Sequence, residues 1–138
     1  MPTIWMMKFH SRMKKNNAAA TALWFALLAA TSPALAGEAD VITAAATPDG
    51  AGAWRIEATI RHADEGWEHY ANAFEVLGPD GRILDVRKLI HPHVEEQPFT
   101  RSLGTVAIPS GTDFIVIRAK DSIHEYGGKE FRIDLPAQ

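Results

Sequence analysis

Five histidines fall between positions 62 and 124: His62, His69, His91, His93 and His124. Neutral imidazole is the commonest protein ligand for Zn, Cu(II), Ni and Fe where no thiolate is at hand. Three or four such rings meeting at one ion, completed by a carboxylate from Asp64, Glu65, Glu68, Glu95 or Glu125, would form a Zn or Cu(II) centre. His91-Pro92-His93 is the tightest pair. The proline stiffens it, and extended residues two apart project alike. Neither His-x-His nor the six-residue gap between His62 and His69 is a signature alone. Each residue also has a plain structural reading. His62 can cap the core as a hydrogen-bonded side chain, and His69 can bond across strands. Glu95 and Glu96 suit a solvated loop, and Arg101 suits an ion pair with a nearby carboxylate.

Composition removes other chemistries. The chain has no cysteine, and its four methionines (Met1, Met6, Met7, Met13) all precede position 14. Thiolate nucleophiles, Fe–S clusters, c-type haem attachment and Cys- or Met-based copper sites are therefore excluded from the rest of the chain. Ser102 with a histidine and an aspartate would make a hydrolytic triad only on paper, because nothing resembles a nucleophile elbow. A binding module without metal is the competing reading. Trp67, Tyr70 and Tyr126 would then supply apolar contact to a protein or small molecule, and Arg101 would anchor an anion.

The first 36 residues have the parts of a secretory signal peptide. Lys8, Arg12, Lys14 and Lys15 form a basic region, and Ala18 to Thr31 is apolar and uncharged. Pro33 then precedes Ala34-Leu35-Ala36, a small-residue cleavage pattern before Gly37. The apolar run is shorter than the roughly 20 residues a bilayer span needs. The sequence thus predicts a leader helix over 1–36, cleaved after Ala36, with Met1, Met7 or Met13 as the start, and a periplasmic or secreted domain over 37–138. The alternative is an uncleaved N-terminal anchor. Without cysteine, no lipid would be attached at the new N-terminus. The chain's 14 basic and 17 acidic residues lose four basic ones and no acidic one with the leader, which leaves a net charge of −7. Nucleic acid is an unsuitable partner for that balance.

The rest reads as strands. Trp54, Ile56, Ala58 and Ile60 alternate with Arg55, Glu57, Thr59 and Arg61, the period of a strand with one buried face. Further strands are expected over Val41–Thr47, Trp67–Leu77, Arg82–His91, Phe99–Ile108, Phe114–Lys120 and Lys129–Leu135. Pro48-Asp49-Gly50, Pro79-Asp80-Gly81 and Pro109-Ser110-Gly111 punctuate them as turns. Seven short strands in about 100 residues predict an all-β antiparallel sandwich of immunoglobulin or fibronectin-III type. A small β-barrel is the alternative. In an up-and-down course, alternate loops share an end. The loops after strands one, three and five are tight turns without histidine. Those after strands two, four and six carry all five histidines, so these gather at one end of the sandwich. Loops on a rigid scaffold are where functional groups concentrate.

Trp67-Glu68-His69-Tyr70-Ala71 and the run His91-Pro92-His93-Val94-Glu95-Glu96-Gln97-Pro98-Phe99-Thr100-Arg101-Ser102, with Ile123-His124 and Gly127-Gly128, resemble a family of small uncharacterised bacterial exported proteins. The resemblance implies export and carries no activity with it.

Overall fold

Apolar alternation sets the strands, and the computed structural model describes residues 37–137. The expected leader helix and the bond after Ala36 lie outside the described residues. Seven strands follow in order: β1 (Asp40–Pro48), β2 (Ala53–Arg61), β3 (Ala71–Leu77), β4 (Ile83–Lys88), β5 (Phe99–Ala107), β6 (Phe114–Asp121) and β7 (Phe131–Asp134). They form two antiparallel sheets, β1-β2-β5 and β4-β3-β6-β7. No helix among the described residues is long and apolar enough to cross a membrane.

The core lies between the sheets. Trp54, Ile56, Ala58 and Ile60 of β2 meet Phe74 and Val76 of β3, Phe99 and Val106 of β5, and Ile115, Ile117 and Ala119 of β6. Each fully buried Ile, Val or Phe contributes about 1.5–3 kcal/mol relative to exposure. The alternation of β3 is blurred because it is a central strand buried on both faces. On its outer face Glu75 accepts hydrogen bonds from Arg118 (2.6 Å) and from the Tyr126 hydroxyl (2.8 Å).

Three strands are markedly shorter than the alternation predicts, and β5 stops one residue short, at Ala107. The one expected from Trp67 starts at Ala71. Before it the chain closes on itself, with Glu65 N–H donating to the His69 carbonyl (2.8 Å) and Gly66 at φ 115°. The one expected over Arg82–His91 stops at Lys88. Leu89 N–H still donates to the Asn72 carbonyl (2.9 Å), and the segment then leaves the sheet to cross to β5. The last strand covers only Phe131–Asp134.

Register fixes which loops share an end. Ala71, the first residue of β3, pairs with Asp121, the last of β6, and Ala73 pairs with Lys88 at the end of β4. Ile60, near the end of β2, pairs with Phe99 at the start of β5. The β2–β3, β4–β5 and β6–β7 loops therefore lie together.

Candidate metal centre

Two strands end their core stripe on a polar residue. In β2 the inward positions run Trp54, Ile56, Ala58, Ile60, and the next in step is His62. In β6 they run Ile115, Ile117, Ala119, and the next is Asp121. Both side chains are buried. The closed turn before β3 adds His69, also buried. One ligand atom from each of His62, His69 and Asp121 lies within 4.8 Å of the others. Ligand atoms about 2.0–2.2 Å from one tetrahedral ion lie about 3.3–3.6 Å apart, so the widest pair would close by about 1 Å around an ion.

Asp121 organises one side of this group. Its Oδ1 accepts from the backbone N–H of His124 (2.7 Å) and of Ile123 (2.9 Å). The same oxygen faces His69 Nε2 (3.1 Å) and His124 Nδ1 (3.2 Å). Its Oδ2 is buried without any hydrogen-bond partner. Burial works against the charged form, but the two backbone donors and the nearby His124 and His62 outweigh it. The Asp121 carboxyl is consequently held below the usual aspartate range.

Asp64 organises the other side from a fully buried position. Its Oδ1 accepts from His62 Nδ1 (2.5 Å) and from Ala71 N–H (3.0 Å). Its Oδ2 accepts from His93 N–H (2.7 Å). It therefore ties the β2–β3 loop, the start of β3 and the β4–β5 loop together. The second nitrogen of His62, Nε2, sits 3.0 Å from the Gly37 carbonyl. With Nδ1–H donated to Asp64, Nε2 is the nitrogen that would face an ion, and it would first have to give up the proton it donates to the Gly37 carbonyl. A carboxylate behind a ligating imidazole is the usual way a metal site fixes tautomer and ring direction.

The expected site residues separate into groups. His62, His69 and His124 form a run of rings, with centroids 4.8 and 5.1 Å apart. His124 is about a third exposed at its rim. His93 is buried, stacked on Phe99 (3.9 Å), and is tied to the group through Asp64 and Gln97. Its Nε2 accepts from Arg101 Nη2 (2.8 Å), so its proton rests on Nδ1. Burial first, then the charges of Arg101 and His91, push the His93 pKa down. His91 is exposed beside His93, its Nδ1 near the Pro92 carbonyl (3.1 Å).

The expected ligand contacts also divide. Trp67 is exposed and edge-on to Tyr70 at 5.7 Å. Arg101 pairs with Glu96 (3.1 Å), whose carboxyl it holds below the usual range, mainly by hydrogen bonding. Tyr126 packs under Arg118 (3.9 Å) on the outer face of the second sheet, bonded to Glu75. Ser102 Oγ contacts Arg55 (2.8 Å) and Glu57 (3.4 Å) on the outer face of the first sheet.

Among the carboxylates weighed from sequence, Asp64 sits behind His62, and Glu65 approaches His69 Nδ1 at 3.8 Å. Glu125 lies 3.8 Å from Lys120, while Glu68 and Glu95 are exposed. Asp121 was not among them. Its signal was parity, because it falls two residues after Ala119 on the buried stripe of β6.

Among known proteins, one of Halomicrobium mukohataei described as "Putative lipoprotein" is 36% identical over 97 residues. The match covers 70% of this chain and 47% of that protein, so the chain spans about half the length of the curated relative it matches. No protein-family model matches the chain. No solved structure matches it either.

Proposed function

We propose that this chain is an exported domain that binds one divalent transition-metal ion, Zn or Cu(II), through His62, His69 and Asp121, with His124 at the rim. The strand order β1-β2-β5 against β4-β3-β6-β7 supports an immunoglobulin/fibronectin-III-like sandwich as the scaffold. The likeness to a protein described as a lipoprotein supports a place in the cell envelope, periplasmic or secreted. These 138 residues contain no cysteine for a thiol-linked lipid.

The carrying observation is Asp121: fully buried, crowded by two imidazoles on one oxygen, with the other oxygen unpartnered. A buried carboxylate oxygen without a donor costs about 1–3 kcal/mol or more. A bound cation removes that cost and uses the imidazoles as ligands.

The test is thermal unfolding with Zn(II) or Cu(II) added. At a metal concentration about 100 times Kd, the melting temperature rises by on the order of 10 °C at pH 7.5. The rise disappears near pH 5, where protons compete for imidazole. His69→Ala and Asp121→Asn abolish it. No shift with Zn, Cu, Ni or Fe sinks the proposal.

A second reading, an interaction module without metal, has its own observation. Trp67, Ile90, Val94 and Ile123 are exposed apolar side chains on the same three loops. Partner binding that survives chelator and fails on Trp67→Ala favours that reading.

A further inference from the structure

We infer that the α-amino group of Gly37, freed by cleavage after Ala36, is a fourth ligand of this metal site, so that export processing completes it. The inference rests on the metal-binding reading above and names a ligand that reading lacks.

Three protein ligands leave one position open on a four-coordinate ion, which the amine fills, and two on a five-coordinate one, which the amine and carbonyl fill together. Asp64 holds the Nδ1 side of His62 and leaves Nε2 as the metal-facing nitrogen. That nitrogen already points at Gly37, whose carbonyl lies 3.0 Å away. An ion on Nε2 takes the place of the proton that Nε2 donates to the Gly37 carbonyl, that proton passing to solvent, and meets the Gly37 backbone there. The amine nitrogen and carbonyl oxygen of one residue close a five-membered ring on a metal. While Ala36 is attached, the nitrogen belongs to an amide, and its lone pair is delocalised into the peptide bond. Cleavage turns it into an amine with a lone pair to donate. Glycine has no Cβ to hinder the turn about its own Cα–C bond that chelation requires.

The chain just after Gly37 is fixed, so the amine is not on a loose tail. Ala39 is buried in the core cluster. Its carbonyl lies so close to Gly128 that a side chain there has no room. The Glu38 side chain packs against Gly127, which sits at φ 126°. Lys129 N–H donates to Asp40 Oδ1 (2.7 Å), and Val41 N–H donates to the Lys129 carbonyl (2.8 Å). The Gly127-Gly128 pair thus seats residues 38–41 and sets Gly37 beside His62.

All seven strands and every core residue fall within 39–135, so a protein of residues 37–138 keeps the whole core. Three such forms differ only at the N-terminus: free Gly37, Gly37 preceded by Ala36, and acetylated Gly37. Zn(II) affinity is measured by calorimetry against a competing chelator, and Cu(II) coordination by electron paramagnetic resonance. Unfolding in chelator checks that all three are equally stable. The free form binds Zn(II) tighter than both blocked forms by about 10- to 100-fold, at least what outer-sphere changes cost. Its Cu(II) spectrum shows one more coordinated nitrogen. Equal affinities in all three, lost together in His69→Ala, overturn the amine ligand and leave the metal site standing. No binding by the free form overturns both.

Discussion

The two ends of the sandwich solve chain reversal in opposite ways. At the β1–β2, β3–β4 and β5–β6 end, the backbone closes on itself. Ala53 N–H donates to the Gly50 carbonyl (2.9 Å), Gly81 N–H to Gly78 (2.9 Å), and Thr112 N–H to Pro109 (3.2 Å). Glycines at φ 79–82° take the corners, and the side chains there are mostly exposed. At the other end, backbone closures such as Glu65 N–H to the His69 carbonyl (2.8 Å) remain, and side chains take up further backbone bonds. Asp64 accepts two N–H groups, Asp121 accepts two, and Gln97 spans His62 N–H (3.0 Å) and the His93 carbonyl (3.0 Å). The first arrangement needs only glycine and proline chemistry. The second buries two carboxylates among imidazoles, a costly choice unless every group is satisfied. Spending stability where simple turns would serve is the mark of a site, as opposed to a connection.

The largest expected effect comes from cutting the tie at Asp64. Asp64→Ala leaves His62, Ala71 N–H and His93 N–H without their shared acceptor inside the protein. Breaking a buried pair of this kind costs about 3–5 kcal/mol, a large part of the stability of a domain this size. Urea unfolding at pH 7 measures it. Asp64→Asn keeps one acceptor and falls between, which preserves the test if the alanine form does not fold. A loss under about 1 kcal/mol would place Asp64 with ordinary surface groups and erase the contrast between the ends.

A smaller effect should appear with acid, through His93. The unfolded chain protonates this ring near pH 6.5. Burial, with help from Arg101 and His91, holds the folded ring's pKa lower. Between those two values the unfolded state binds more protons. The contribution is therefore whole above about pH 6.5 and declines as pH falls toward the folded pKa. His93→Gln flattens that part of the stability profile. In a proton-resonance titration, the His93 ring stays neutral at pH values where free imidazole protonates, and Arg101→Ala raises its pKa. His93 titrating at or above the free-imidazole value would show that the second end tolerates charge as freely as the first.

The same contrast explains what could be seen in the sequence. The strands were legible because alternation is local: Trp54 to Ile60 and Ile115 to Ala119 show it, and turns such as Pro79-Asp80-Gly81 bound it. Gathering five histidines at one end needed only the strand count and the antiparallel course. The composition of the site was less legible. His62 and Asp121 both continue buried stripes, but an aspartate after Lys120 looks like the start of a polar turn, which hides Asp121. Its partners lie far off in sequence, with His69 52 residues away, and only the pairing of Ala71 with Asp121 brings them together. The Gly37 contact was out of reach for the same reason, since 25 residues separate it from His62 and no pattern links them.

The smallest effect is expected at the plain end, and it calibrates the rest. Asp80 is exposed, and its Oδ1 accepts only the Arg82 N–H (3.1 Å), a contact that water replaces when the side chain is removed. Asp80→Ala should cost about 0.5 kcal/mol, the range of surface substitutions. The turn itself rests on Gly81 at φ 79° and on the bonds joining Gly78 to Gly81 and Arg82, which the substitution leaves in place. Measured by the same urea unfolding, the two aspartates ask one question of both ends. If Asp80→Ala costs as much as Asp64→Ala, carboxylates anchor loops throughout this protein, and burial at the histidine end carries no functional meaning. If the costs differ several-fold, the carboxylates that anchor loops by burial belong to the end where the imidazoles meet, as a metal-binding centre requires.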